Sequence, residues 1–118
     1  MSLDVSLIKK TPACQHCGRE DEQIEIFSAN ITHNLTEMAD AAGIYMHLWR
    51  PEELGLRKAG QLIKPLEKGL KKLKASPAKY ERFNAPNGWG LYKHFVPWVE
   101  KYLEACKRSP GADVEVSR

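Results

Sequence analysis

The chain has 118 residues, 42% of them hydrophobic and 28% charged, with a formal net charge of +3. That length and balance suit one folded domain spanning 1–118 and argue against a disordered chain, while the mild basic excess admits nucleic-acid or acidic partners without requiring them. Residues 1–6 lack the basic-then-apolar pattern of a secretory signal, no apolar run approaches the ~20 residues of a bilayer-spanning helix, and the odd count of three cysteines points to a reducing compartment.

Leu3, Val5 and Leu7 alternate with Asp4 and Ser6, the period-2 signature of a half-buried strand. Ile24 and Ile26 flank Glu25 in the same way and run into Phe27, so the polar stretch 9–23 reads as a long loop joining two strands. Asn34 suits a helix N-cap, with Glu37 as its capping-box partner. Leu35, Met38, Ala39 and Ala42 then share one helical face, and Gly43 reads as the stop. A short further helix is expected over 44–49, closed by Arg50-Pro51. Ala59, Leu62, Ile63, Leu66, Leu70 and Leu73 recur at spacings of three and four and predict an amphipathic helix ending before Ser76-Pro77. Pro65 inside that pattern predicts a kink or a late start. The last helix carries Leu91, Phe95, Trp98, Val99, Tyr102, Leu103 and Cys106 on one stripe, with Pro97 within it. After the turn signal Ser109-Pro110-Gly111, Val114 and Val116 alternate with Asp113 and Glu115 as a third strand. The order β-β-α-α-α-β predicts an α+β fold: a small antiparallel or mixed sheet of about three strands, helices on one face and water on the other.

Cys14-Gln15-His16-Cys17-Gly18 is the sharpest local motif. Two thiolates at this spacing can hold one metal, and zinc is the expected ion. A structural site needs further ligands, from His16, His33, His47, His94 or Cys106; His33, directly after the second strand, is the best placed if the chain folds back. The plainer alternative is a pair of free thiols in a surface loop. A thioredoxin-type pair fits less well, because a charged run, Arg19-Glu20-Asp21-Glu22, follows where that chemistry wants a helix.

Two polar segments resemble binding surfaces. Asn30, Thr32, His33 and Asn34 crowd the start of the first helix, more polar detail than one cap requires. Asn87, Trp89 and Tyr92 sit in Asn87-Gly88-Trp89-Gly90, where turn chemistry could present an aromatic stacking pocket. The ordinary alternative for Trp89 is a core plug at the start of a helix. Lys64, Lys68, Lys71, Lys72 and Lys74, preceded by Arg57 and Lys58, form a basic ridge that would attract phosphate, although Glu67 interrupts it and a solvated helix face is the usual meaning. The G-x-S-x-G, H-E-x-x-H and G-x-x-x-x-G-K signatures of common enzyme classes do not occur.

The ordered set Cys14-x-x-Cys17-Gly18, Asn30-Ile31-Thr32-His33-Asn34-Leu35, Leu48-Trp49-Arg50-Pro51 and Asn87-Gly88-Trp89-Gly90 resembles a family of small uncharacterised proteins encoded by bacteriophages and prophages. The resemblance spans nearly the whole chain. It implies an accessory protein acting in the bacterial cytoplasm and carries no catalytic residues with it. The expected function is non-catalytic binding of a host protein or of a small polar, nucleotide-like ligand, in antagonism of host defence. The alternatives are a metal-assisted hydrolase built on Cys14, Cys17 and His33, and a nucleic-acid binder using the lysine-rich helix.

Overall fold

The computed structural model describes residues 2–11 and 22–118. Strands β1 (Ser2–Thr11) and β2 (Glu22–Thr32) form an antiparallel hairpin, and β3 (Asp113–Ser117) returns antiparallel along the other side of β1, giving the order β2-β1-β3. The alternation read from the sequence decides the faces. Leu3, Val5 and Leu7 of the central strand are fully buried, whereas Asp4, Ser28, Asn30, Glu115 and Ser117 are exposed on the opposite side. Register passes from Leu7 opposite Phe27 to Ile8 opposite Glu25, so Ile26 is the additional residue of a bulge.

After β2 come a 3-10 turn (His33–Leu35), α1 (Thr36–Ala41), α2 (Tyr45–Trp49), α3 (Ile63–Ala75), α4 (Pro77–Glu81) and α5 (Tyr92–Arg108). The architecture is the α+β fold expected, with α4 as an element the sequence reading did not separate. Asn34 is not the N-cap. The first turn starts earlier, and Thr32 caps it by accepting the Asn34 N–H at 3.3 Å. Gly43 follows α1 at φ 78°, as expected of a helix stop. Pro65 lies in the first turn of α3, where its missing N–H would have had no helical partner, so the helix starts late and carries no mid-helix proline there. Pro97 does lie inside α5.

The core joins the inner sheet face to α5 through Phe95, Val99, Tyr102, Leu103 and Cys106, and to α3 through Leu66, Leu70 and Leu73. Tyr102 stacks on Phe27 of β2 at 5.9 Å and meets the edge of Trp98 at 5.7 Å. Burial pushes the Cys106 thiol up to about 12, the behaviour of a core thiol and not of a nucleophile. Each sheet edge is engaged. On β3, the Val114 N–H donates to the Arg57 carbonyl at 2.8 Å, and Lys58 pairs with Asp113. On β2, the Trp98 indole N–H donates to the Asn30 carbonyl at 3.1 Å, fastening the first half of α5 to the end of the hairpin. Among the described residues no helix is long and apolar enough to cross a membrane.

Candidate functional site

The end of the hairpin and the beginning of α5 enclose a cleft of about 1140 Å³. The two polar segments singled out in the sequence meet here. Asn30, Thr32, His33 and Asn34 line one side; Asn87, Gly88, Trp89 and Gly90 line the other, with Ser2, Leu91, His94 and Trp98 completing the wall.

Local chemistry fixes the loop that carries Trp89. The Ala85 N–H donates to the Gly90 carbonyl at 2.9 Å, the Gly88 N–H to the Ala85 carbonyl at 3.0 Å, and the Trp89 N–H to Asn87 Oδ1 at 3.0 Å. Asn84 Oδ1 accepts the Tyr92 N–H at 2.7 Å, capping the first turn of α5 from outside it. Gly90 sits at φ 126° with its Cα against the Asn34 side chain; a Cβ there would stand 2.9 Å from Asn34 Cβ. Only glycine meets both demands, conformation and space. Across this close approach Asn34 Nδ2 donates to the Trp89 carbonyl at 2.6 Å.

These contacts orient the amides. Asn30 Nδ2 donates to Ser2 Oγ and to Asp4 Oδ1, both at 2.8 Å, so its nitrogen end faces a carboxylate and its carbonyl end is the one left over. Asn34 likewise commits its nitrogen to the Trp89 carbonyl and retains its oxygen as an acceptor. Asn87 commits its oxygen to the Trp89 N–H and retains its NH2 as a donor. The cleft therefore holds two acceptors and one donor of amide type beside two indoles. Among the described residues lining it there is no Asp, Glu, Lys or Arg.

His33 adds a further polar group. Its ring meets the edge of Trp49 at 6.3 Å, and its Nε2 is buried without a hydrogen-bond partner among the described residues. His33, Asn34 and Asn87 also line a neighbouring cleft of about 720 Å³ that carries Glu37 and Arg82.

Trp89, expected as a binding residue with a core plug as the ordinary alternative, is 71% exposed. The glycines on either side are both at positive φ, and most of the residue between them stays uncovered by the described residues. Tyr92 does not line the cleft: its hydroxyl donates to the Leu73 carbonyl at 2.6 Å, tying α5 to α3. His94 and Trp98 take that place. Leu91, His94 and Trp98 recur at spacings of three and four, so helical periodicity puts them on one stripe, rotated from the core stripe of Phe95 and Val99.

Cys14, His16 and Cys17, the expected metal-binding motif, lie outside the described residues. His33, the further ligand expected for it, follows Thr32 at the end of the hairpin away from Thr11 and Glu22. Among the described residues no group of three or more His, Cys, Asp or Glu side chains is placed to hold a metal ion.

The basic ridge is not one surface. Lys58 pairs with Asp113, Lys74 with Glu100 at 3.5 Å, and Glu67 is taken by Lys107 at 3.1 Å. Comparison of the chain with protein-family models, with curated proteins and with solved structures gives no match, so the cleft's own geometry is what speaks to function.

Proposed function

We propose that this chain is a non-catalytic binding protein whose cleft receives a flat, uncharged, hydrogen-bonding group of nucleobase type. One observation carries the reading: amide acceptors and a donor stand beside two indoles, with no formally charged Asp, Glu, Lys or Arg among the described lining residues. Indole faces favour flat π-systems, and oriented amides favour a partner with a complementary edge. Among the described lining residues there is no carboxylate, thiol or amine; the hydroxyls of Ser2 and Thr32 and the imidazoles of His33 and His94 are the groups that remain. The binding role agrees with the phage-borne accessory protein that the sequence resembles, acting on a ligand of the infected bacterium.

A panel of the four common ribonucleosides, titrated against the full chain while tryptophan fluorescence is followed, tests this. At least one nucleoside is expected to quench saturably, and Trp89→Ala should remove both the quench and the binding. Absence of saturable binding to all four at millimolar concentration sinks the nucleobase reading. In that case Trp89 would be examined as a protein-docking anchor, since an indole this exposed is the type of side chain that dominates interfaces.

A further inference from the structure

On the other side of α3 from its ion pairs lies a second concavity. Lys64, Lys68 and Lys72 recur at every fourth residue, each a rise of ~6 Å along the helix, and border a trough of about 350 Å³. Its opposite wall is the junction of α1 and α2, including Gly43, and His47 also lines it. The trough shares no lining residue with the Trp89 cleft.

The charges around it are segregated. Lys74 and Glu67, which face α5, are neutralised by Glu100 and Lys107. Among the described residues Lys64, Lys68 and Lys72 make no ion pair and no carboxylate lines the trough. Like charges four apart on a helix oppose its stability, so three in a row around one depression is an arrangement an anion would relieve. Glycine brings the walls together. Gly69 allows Ile44 to approach α3, and an added Cβ at Gly43 would stand 3.6 Å from Lys72 Nζ. Within this wall His47 Nδ1 is buried without a hydrogen-bond partner among the described residues.

We propose that this trough is a binding site for a compact phosphate-type anion, held by Lys64, Lys68 and Lys72 with His47 Nδ1 as a further polar contact. Ammonium groups on flexible stems suit phosphate oxygens as point charges. The small size of the trough and the lack of any Trp, Tyr or Phe among its described lining residues favour a compact anion over a single-stranded nucleic acid, whose sites combine a basic track with aromatic platforms.

Calorimetric titration of the full chain with inorganic pyrophosphate at low salt tests the site, with Lys68→Gln as the disrupting variant. Lys71→Gln is the control, because Lys71 lies on the α5 side of the same helix. Pyrophosphate should bind the parent. Lys68→Gln and, separately, Lys64→Gln should weaken binding by about tenfold or more, the loss expected for a charged hydrogen bond, while Lys71→Gln leaves it unchanged. No binding to the parent at millimolar pyrophosphate overturns the proposal. Equal weakening by the Lys68 and Lys71 variants also overturns it, by showing diffuse attraction to the helix. So does a single-stranded oligothymidylate that binds tighter than pyrophosphate and responds equally to both substitutions.

Discussion

Asn34 and Trp89 lie 55 residues apart in sequence, yet the Asn34 side-chain amide donates to the Trp89 carbonyl at 2.6 Å and joins the hairpin end to the loop before α5. The bond spans the cleft's two walls, while the indole of the same Trp89 stands 71% exposed. Backbone and side chain of one residue therefore have separable roles. Asn34→Ala should destabilise the fold by about 1 kcal/mol, the usual net worth of one hydrogen bond, and release the loop. Trp89→Ala keeps the accepting carbonyl and should change stability by less than about 0.5 kcal/mol. Urea unfolding followed by far-ultraviolet circular dichroism measures both. Equal, large losses in the two variants would contradict this separation.

Gly69→Ala sets two effects against each other. Alanine is the better helix former by about 1 kcal/mol, and Gly69 lies inside α3. An added Cβ, however, would stand 2.3 Å from Ile44 Cγ2 and 3.4 Å from the Ala42 carbonyl oxygen. Ile44 is β-branched and fully packed, so its Cγ2 cannot swing aside cheaply. Overpacking of this kind costs about 1–3 kcal/mol, enough to outweigh the helical gain. The expected result is a lower melting temperature; a rise would mean that α3 can withdraw from the α1–α2 junction without loss.

How far the sequence reports these features depends on whether the signal is local. The strand alternation at Leu3, Val5 and Leu7, the stop at Gly43 and the apolar stripe of α3 are set by near neighbours, and all are visible in the residue pattern. Both polar segments could also be picked out as unusually dense. Their joining in one cleft is not a local feature: it depends on the Gly90 approach to Asn34 across the fold. Trp89 and Tyr92 show the same limit. Each is an aromatic residue near the start of a helix. The first lies exposed between Gly88 and Gly90, both at positive φ, while the Leu73 carbonyl on α3 draws in the hydroxyl of the second.

His47 gives stability a pH dependence of definite sign. Burial holds its pKa below the ordinary imidazole value. The unfolded chain thus takes up a proton near pH 6.5 that the folded chain does not yet accept. The His47 contribution is intact above that pH and declines as pH falls toward the lower folded-state pKa. The urea midpoint should fall between pH 7.5 and pH 5.5, and His47→Gln should fall less over that interval. An identical fall in both proteins would remove His47 as a source of the dependence.

Tyr102 provides a test in which truncation should help. Its ring is a central core contact, stacked on Phe27 and edge-on to Trp98, but its hydroxyl is buried without a hydrogen-bond partner among the described residues. Burial drives the phenol's pKa well above its usual value, with the nearby Cys106 adding to the effect. An unpaired buried hydroxyl costs about 1–3 kcal/mol by protein mutational measures. Tyr102→Phe keeps both aromatic contacts and removes only that oxygen. It should raise the unfolding free energy by about 1 kcal/mol, the lower end of the range because the vacated space is not refilled. Chemical denaturation of the parent and the variant decides it. A loss of more than about 0.5 kcal/mol would show that the hydroxyl is hydrogen-bonded in solution, with a trapped water as its natural partner.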